Sequence, residues 1–246
     1  MEREIIVGEF YHTYNRGVEK RKIFLDEKDY FRSVHDLYEF NDANATANVK
    51  YHFSHVPNYG DPISYNKISY NKISYNNGKK REMLIKLNCW ELMPNHFHLF
   101  SAPIVNGGLA KFHQKFGIGF TGYFNLKYKR DGVLFQGKYK KVQVTNDIQA
   151  GHLICYIHSN PLDIWKPNWK ETGLTVLELQ NALKFLEQYR WSSHQDYLGI
   201  KNFPSLIDTE FLFNFFDGPN GYRNFFVGWL KQYGKNIEFI KKVTLE

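Results

Sequence analysis

Apolar and polar positions alternate over residues 4–15, a stretch rich in Ile, Val, Phe and Tyr, which predicts a half-buried first strand. The run ends at Asn15-Arg16-Gly17, a turn carrying a cation. From Asp26 the period lengthens, and Tyr30, Phe31, Val34, Leu37 and Tyr38 keep helical spacing until the pattern dissolves around Asn41. Residues 82–92 and 95–103 read as adjacent strands joined tightly at Met93-Pro94-Asn95. Residues 107–129 read as a long amphipathic helix broken by Asp131-Gly132, and 133–144 alternates like another strand. Thr145-Asn146-Asp147 is an N-cap cluster for a helix running to about Asn160, where Pro161 stops it. Strand, helix, paired strands, helix, strand, helix predicts an α+β architecture, an antiparallel sheet with helices on a face. The last third predicts helices at 176–188, 209–216 and 220–233 and shows no catalytic motif.

Between these elements, residues 42–80 read as an insertion with little regular structure. It holds three copies of a pentapeptide: Ile63-Ser64-Tyr65-Asn66-Lys67, Ile68-Ser69-Tyr70-Asn71-Lys72 and Ile73-Ser74-Tyr75-Asn76-Asn77. The copies are too few and too short for a solenoid, so a tandem duplication in a tolerant loop is the plain expectation. The alternative is a Tyr/Asn/Lys arm that touches nucleic acid.

The chain has 246 residues, 43% hydrophobic and 17% aromatic, enough for one substantial core, and a formal net charge of +7. An excess of that sign favours a polyanionic partner, with nucleic acid leading. The charge is concentrated. Between 106 and 145 stand Lys111, Lys115, Lys127, Lys129, Arg130, Lys138, Lys140 and Lys141 against the single acid Asp131. Aromatics interleave this run, among them Phe112, Phe116, Phe120, Tyr123, Phe124 and Tyr139. Lysines for phosphates and rings for stacking suit single-stranded nucleic acid, although helical spacing makes several of those rings core. Cys89 and Cys155 form no zinc-type pair, so a reduced cytoplasmic chain is expected. Nothing in the sequence reads as a signal peptide or a membrane span, so no membrane partner is expected.

Within this frame, His96-Phe97-His98 carries the clearest chemistry. Residues i and i+2 of a strand share a face, so two imidazoles can converge on one metal ion while Phe97 packs behind them. Two histidines are too few for a closed structural zinc site and suit an open one. On spacing alone, idle histidines on a half-exposed strand are an equal alternative. A histidine-triad hydrolase would need a third histidine where Phe100 stands, and no further His or carboxylate stands at motif spacing to complete a zinc hydrolase. The helix beginning at Asp147 carries His152, Tyr156 and Asn160 along one face. A tyrosine there could act as a nucleophile with help from a divalent cation, and Asn160 could add an oxygen ligand suited to Mg²⁺ or Mn²⁺. Spacing does not select Tyr156 over Tyr123 or Tyr139.

Four stretches taken in order resemble the single-tyrosine HUH transposases, in particular the REP-associated tyrosine transposases. They are Tyr11-His12-Thr13-Tyr14-Asn15-Arg16-Gly17, Leu92-Met93-Pro94-Asn95-His96-Phe97-His98-Leu99, Leu134-Phe135-Gln136-Gly137-Lys138-Tyr139-Lys140 and Tyr156-Ile157-His158-Ser159-Asn160-Pro161. Tyr189-Arg190-Trp191-Ser192-Ser193 and Tyr197-Leu198-Gly199 are similar to the downstream part of that branch. The resemblance covers roughly residues 8–40 and 81–200. It implies a ferredoxin-like sheet over residues 1–165, interrupted by the insertion, with a helical C-terminal extension over 166–246. It implies metal-dependent cleavage and rejoining of single-stranded DNA, often beside a hairpin, in a bacterial-type cytoplasm. In that reading His96 and His98 hold Mg²⁺ or Mn²⁺, with Asn160 where relatives often carry Gln. Tyr156 attacks the phosphorus and becomes linked to the 5′-phosphate. Arg16, Lys138 and Lys140 are the expected DNA contacts, and a homodimer is compatible. The alternative is a catalytically inactive or domesticated relative that binds structured DNA or RNA without cutting it.

Overall fold

The computed structural model describes residues 4–44 and 81–233; most of the predicted insertion, including the pentapeptide repeat, lies outside them. The first element is strand β1 (Phe10–Arg16), followed by helix α1 (Glu27–Glu39). Strands β2 (Ile85–Met93) and β3 (His96–Pro103) form the expected hairpin, and helix α2 (Gly108–Tyr128) leads to β4 (Lys140–Val144). The strands pair antiparallel in the order β2-β3-β1-β4, which is the ferredoxin-like βαββαβ arrangement. The fold is α+β, as the pattern of elements predicts.

Strand alternation gives the sheet two faces. Thr13 and Phe97 point to the face covered by α1 and α2, where His113 of α2 bonds Thr13 Oγ1 at 2.9 Å and Phe116 meets the Phe97 ring edge-on. His96 and His98 point to the other face, on which helix α3 (Asp147–Ser159) lies. Asn146 caps α3 by accepting from the Gln149 N–H at 2.9 Å.

Two predicted strands shorten. The first begins at Phe10, after a turn at Gly8 with φ +85°. The last pairs only from Lys140 onward. Gly132 and Gly137, both at positive φ, bend the 133–139 stretch away, and it keeps a single bridge from Phe135 to Gly17. Leu134 and Phe135, consecutive and both buried, plug the core there in place of ladder pairing.

Beyond α3 come α4 (Leu162–Trp165), α5 (Trp169–Thr172), α6 (Val176–Gln188), α7 (His194–Tyr197), α8 (Thr209–Phe216) and α9 (Gly218–Lys231). The predicted helices at 176–188 and 209–216 appear with those bounds; the four-residue helices had no periodic pattern to reveal them. The Tyr-Arg-Trp-Ser-Ser stretch lies along β2. Leu92 N–H bonds the Trp191 carbonyl at 2.9 Å and Ser193 N–H bonds the Trp90 carbonyl at 3.0 Å. A sheet edge left bare would invite foreign strands, and this segment covers it. The apolar core runs from the sheet through α3 into α9.

Much of the basic run is internal wiring. Lys127 pairs with Asp26 at 2.7 Å and Asp29 at 2.6 Å, fastening α2 to the start of α1. Lys111 donates to the Ala43 carbonyl at 2.9 Å, and Lys115 to those of Asp42 at 2.5 Å and Asn44 at 2.9 Å. Phe112, Phe116, Phe120 and Phe124 are core. Lys138 and Lys140, in and beside the loop before β4, are exposed. Among the described residues, no helix is long and apolar enough to cross a membrane.

Candidate metal and tyrosine site

The β2–β3 hairpin turns at Pro94-Asn95, pairing Met93 with His96 and Glu91 with His98. Directly paired residues share a face, so Glu91, His96 and His98 are brought together. One ligand atom from each lies within 4.8 Å of the others, which lets them hold a single metal ion. Glu91 is missed by reasoning along the chain, because its spacing from the histidines matches no linear motif. The signal was present across the turn: a two-residue connection at Pro94-Asn95 dictates 91 opposite 98, and Glu91 is the one carboxylate in β2. Its side chain is fully buried. A carboxylate so placed is ordinarily balanced by a cation, and the donor set of two imidazoles and one carboxylate fits a divalent ion.

The ring orientations are set from behind. His98 Nδ1 meets His12 Nε2 of β1 at 2.8 Å, and His96 Nδ1 donates to Asn95 Oδ1 at 2.7 Å. With Nδ1 occupied, each ring offers Nε2, the arrangement seen where outer partners fix a metal-binding imidazole. Burial, and after it the neighbouring His96, His12 and Lys170, hold His98 well below the usual histidine range, so its ring is neutral and competent as a ligand. His12 was not singled out from sequence. Its bond to His98 joins strands distant along the chain.

Tyr156 of α3 faces this group. Its ring lies edge-on to His98, with centroids 5.7 Å apart, and its residue is 4% exposed. Lys170 of α5 stands over the Tyr156 ring at 5.5 Å, pairs with Asp163 at 2.7 Å and reaches Asn160 Oδ1 at 3.5 Å. Asn160 is buried, at the C-terminal end of α3, and its Nδ2 has no hydrogen-bond partner among the described residues. Tyr123 and Tyr139, which spacing could not separate from Tyr156, lie elsewhere. Tyr123 donates to Asp29 on α1, and Tyr139 stacks on His113 of α2.

The remaining residues expected at the site divide between the sheet faces. Arg16 pairs with His96 and bonds Gln136 Oε1 at 2.5 Å, and Lys140 pairs with Tyr14, whose ring lies 5.5 Å from that of His98. Lys138 lies on the far side of the sheet, beside α2. The quoted stretches meet in space: Gly17 N–H bonds Asn95 O at 2.8 Å, Val18 N–H bonds Leu134 O at 2.9 Å and Asn15 Nδ2 bonds Gly137 O at 3.1 Å.

No family model matches the chain, and no curated protein matches it. A solved structure of a REP-associated tyrosine transposase bound to a REP hairpin is similar at a TM-score of 0.47 and 12% identity, over 83% of this chain and 87% of that one.

Proposed function

We propose that the protein cleaves and rejoins single-stranded DNA through a covalent 5′-phosphotyrosine, as a transposase of the HUH type. The observation that carries this reading is the placement of Tyr156 against His98 within a group of Glu91, His96 and His98 able to hold one metal ion. In this scheme residues 1–165 carry the metal ligands and the nucleophile, and the extension over 166–246 adds Lys170. A Mg²⁺ or Mn²⁺ ion held there would polarise the scissile phosphate and offset charge in the transition state. His12 and Asn95 keep the two imidazoles aimed, and Lys170 places a positive charge beside the nucleophile. The Tyr156 phenolate oxygen forms a bond to phosphorus as the bond to the 3′ oxygen breaks. The 3′ oxygen leaves as a hydroxyl, taking a proton from water, and the phenolic proton passes to solvent. One phosphodiester replaces another, so rejoining needs no external energy source. Arg16 and Lys140, on the same sheet face, supply phosphate contacts.

The test is a denaturing gel of labelled single-stranded hairpin DNA incubated with the protein and Mg²⁺ or Mn²⁺. A protein–DNA adduct is expected, lost in Tyr156→Phe and on chelation. An adduct that survives Tyr156→Phe refutes the nucleophile. The burial of Tyr156 favours a second reading, binding of structured DNA or RNA without cutting, because a nucleophile must be reached by its phosphate. Tight hairpin binding with no adduct across varied sequences would select it.

A further inference from the structure

On the sheet face opposite His96 and His98 lies a groove of about 1280 Å³, open to solvent. Helix α2 forms one wall and the 132–139 loop the other, with Asn15, Phe97 and Lys141 in the floor. Lys138 and Lys141 line it, with Lys111, whose ammonium is held by the Ala43 carbonyl, at its edge, and among the described residues its lining contains no acid. Its walls are apolar: Ile118 and Val133 are 68% and 69% exposed there, and the Tyr139 ring stacks on His113 at 3.9 Å. Lysines beside apolar walls that present the half-buried Tyr139 ring are complementary to a chain of phosphates whose bases are unpaired, and not to a duplex that keeps its bases inside.

The glycines of α2 point the same way. Glycine is a poor interior helix residue, so each needs a reason. Gly119 has one, since a Cβ there would run into the Phe40 ring. Gly117 and Gly122 line the groove, and a Cβ on either would meet no atom within 4 Å. Bare backbone at those positions keeps the wall low where a planar base would lie. Lys140 and Lys141 are consecutive in β4 and point to opposite faces, so a strand crossing that sheet edge meets a cation on each side.

We propose that this groove binds a single-stranded segment of nucleic acid, phosphates along the lysine rim and bases against the α2 wall, away from the tyrosine site. The proposal rests on the reading of the substrate as single-stranded DNA and adds a second surface for it. The test is fluorescence anisotropy with labelled oligothymidylate, which forms no hairpin, measured against salt. Lys138→Glu with Lys141→Glu is expected to weaken binding about tenfold and to lower the salt slope by about two. Gly122→Leu fills the groove on a helix position with open space, and is expected to weaken binding several-fold without lowering the melting temperature. Groove variants that bind oligothymidylate like wild type overturn the proposal, even where wild type forms the hairpin adduct. Binding lost in the groove variants, with no adduct from wild type on any hairpin, upholds the groove and sinks the cleavage reading. Groove variants that instead lose only an acidic, apolar peptide assign the surface to a protein partner and overturn the proposal.

Discussion

Tyr222→Phe should destabilise the fold more than loss of a single hydroxyl ordinarily does. Tyr222 is fully buried, and its hydroxyl stands between His158 Nδ1 at 2.7 Å and His194 Nδ1 at 2.6 Å. A hydroxyl can donate to one nitrogen and accept from the other. His158 Nε2 meets Ser193 Oγ at 2.8 Å on the other side of its ring, so the hydroxyl pairs with both imidazoles whichever tautomers they hold. Both imidazoles are neutral, because burial lowers His158 well below the usual histidine range and His194 to about 3. Phenylalanine keeps the ring and its packing but leaves two buried nitrogens unpaired. At about 1–3 kcal/mol for each buried polar group left unsatisfied, the loss is about 2–6 kcal/mol, or about 5–20 °C in melting temperature for a chain of this size. Tyr197→Phe is the internal comparison: its hydroxyl makes one bond, to the Asn88 carbonyl at 2.8 Å, so about half that loss is expected. Urea unfolding at neutral pH gives both values. A loss below about 0.5 kcal/mol for Tyr222→Phe with an unchanged m-value would refute the network's role. His158 lies two residues beyond Tyr156 on α3, so the same network ties the tyrosine helix to α7 and α9.

Three further outcomes are expected. Burial holds His113 and His194 each at about 3, so the unfolded chain takes up their protons first as pH falls below the ordinary value near 6.5. Stability should therefore drop by about 1.4 kcal/mol per histidine between about pH 7.5 and about pH 5.5. Asp196, raised to about 6 by burial, works in the opposite sense and returns under about 1 kcal/mol over the same range, so a stability flat across it contradicts the assignment. Gly119→Ala should lower the melting temperature because its Cβ meets Phe40, whereas Gly117→Ala should gain about 0.5–1 kcal/mol from helix propensity; equal effects would contradict the packing. Glu91→Gln should weaken Mn²⁺ binding, read by electron paramagnetic resonance, by at least about tenfold, and unchanged affinity would remove Glu91 from the ligand set.

What could be read from the chain was what depends on neighbours within a few residues. Helices 176–188 and 209–216 were legible because their caps are local. Thr175 and Glu178 form a capping box, and Asp208 accepts from the Glu210 and Phe211 N–H groups. The common face of His96 and His98 was legible for the same reason, since strand alternation is a property of adjacent residues. The 133–139 stretch misled because its apolar residues serve a loop, not a ladder: Leu134 and Phe135 are buried in succession while Val133 is exposed.

The sequence by itself determined the order of elements, the histidine pair on one face and the helix bearing Tyr156. Tertiary structure decided everything that depends on which distant groups meet. It put Glu91 opposite His98, His12 behind the same ring, and Tyr156 rather than Tyr123 or Tyr139 against it. It also divided the basic run, tying Lys127 to Asp26 and Asp29 while leaving Lys138 and Lys141 beside an apolar groove. Local periodicity is written in backbone geometry, which each residue and its neighbours settle. Partners far apart in the chain are chosen by sheet register and by the need to satisfy buried polar groups, and both exist only once the strands have paired.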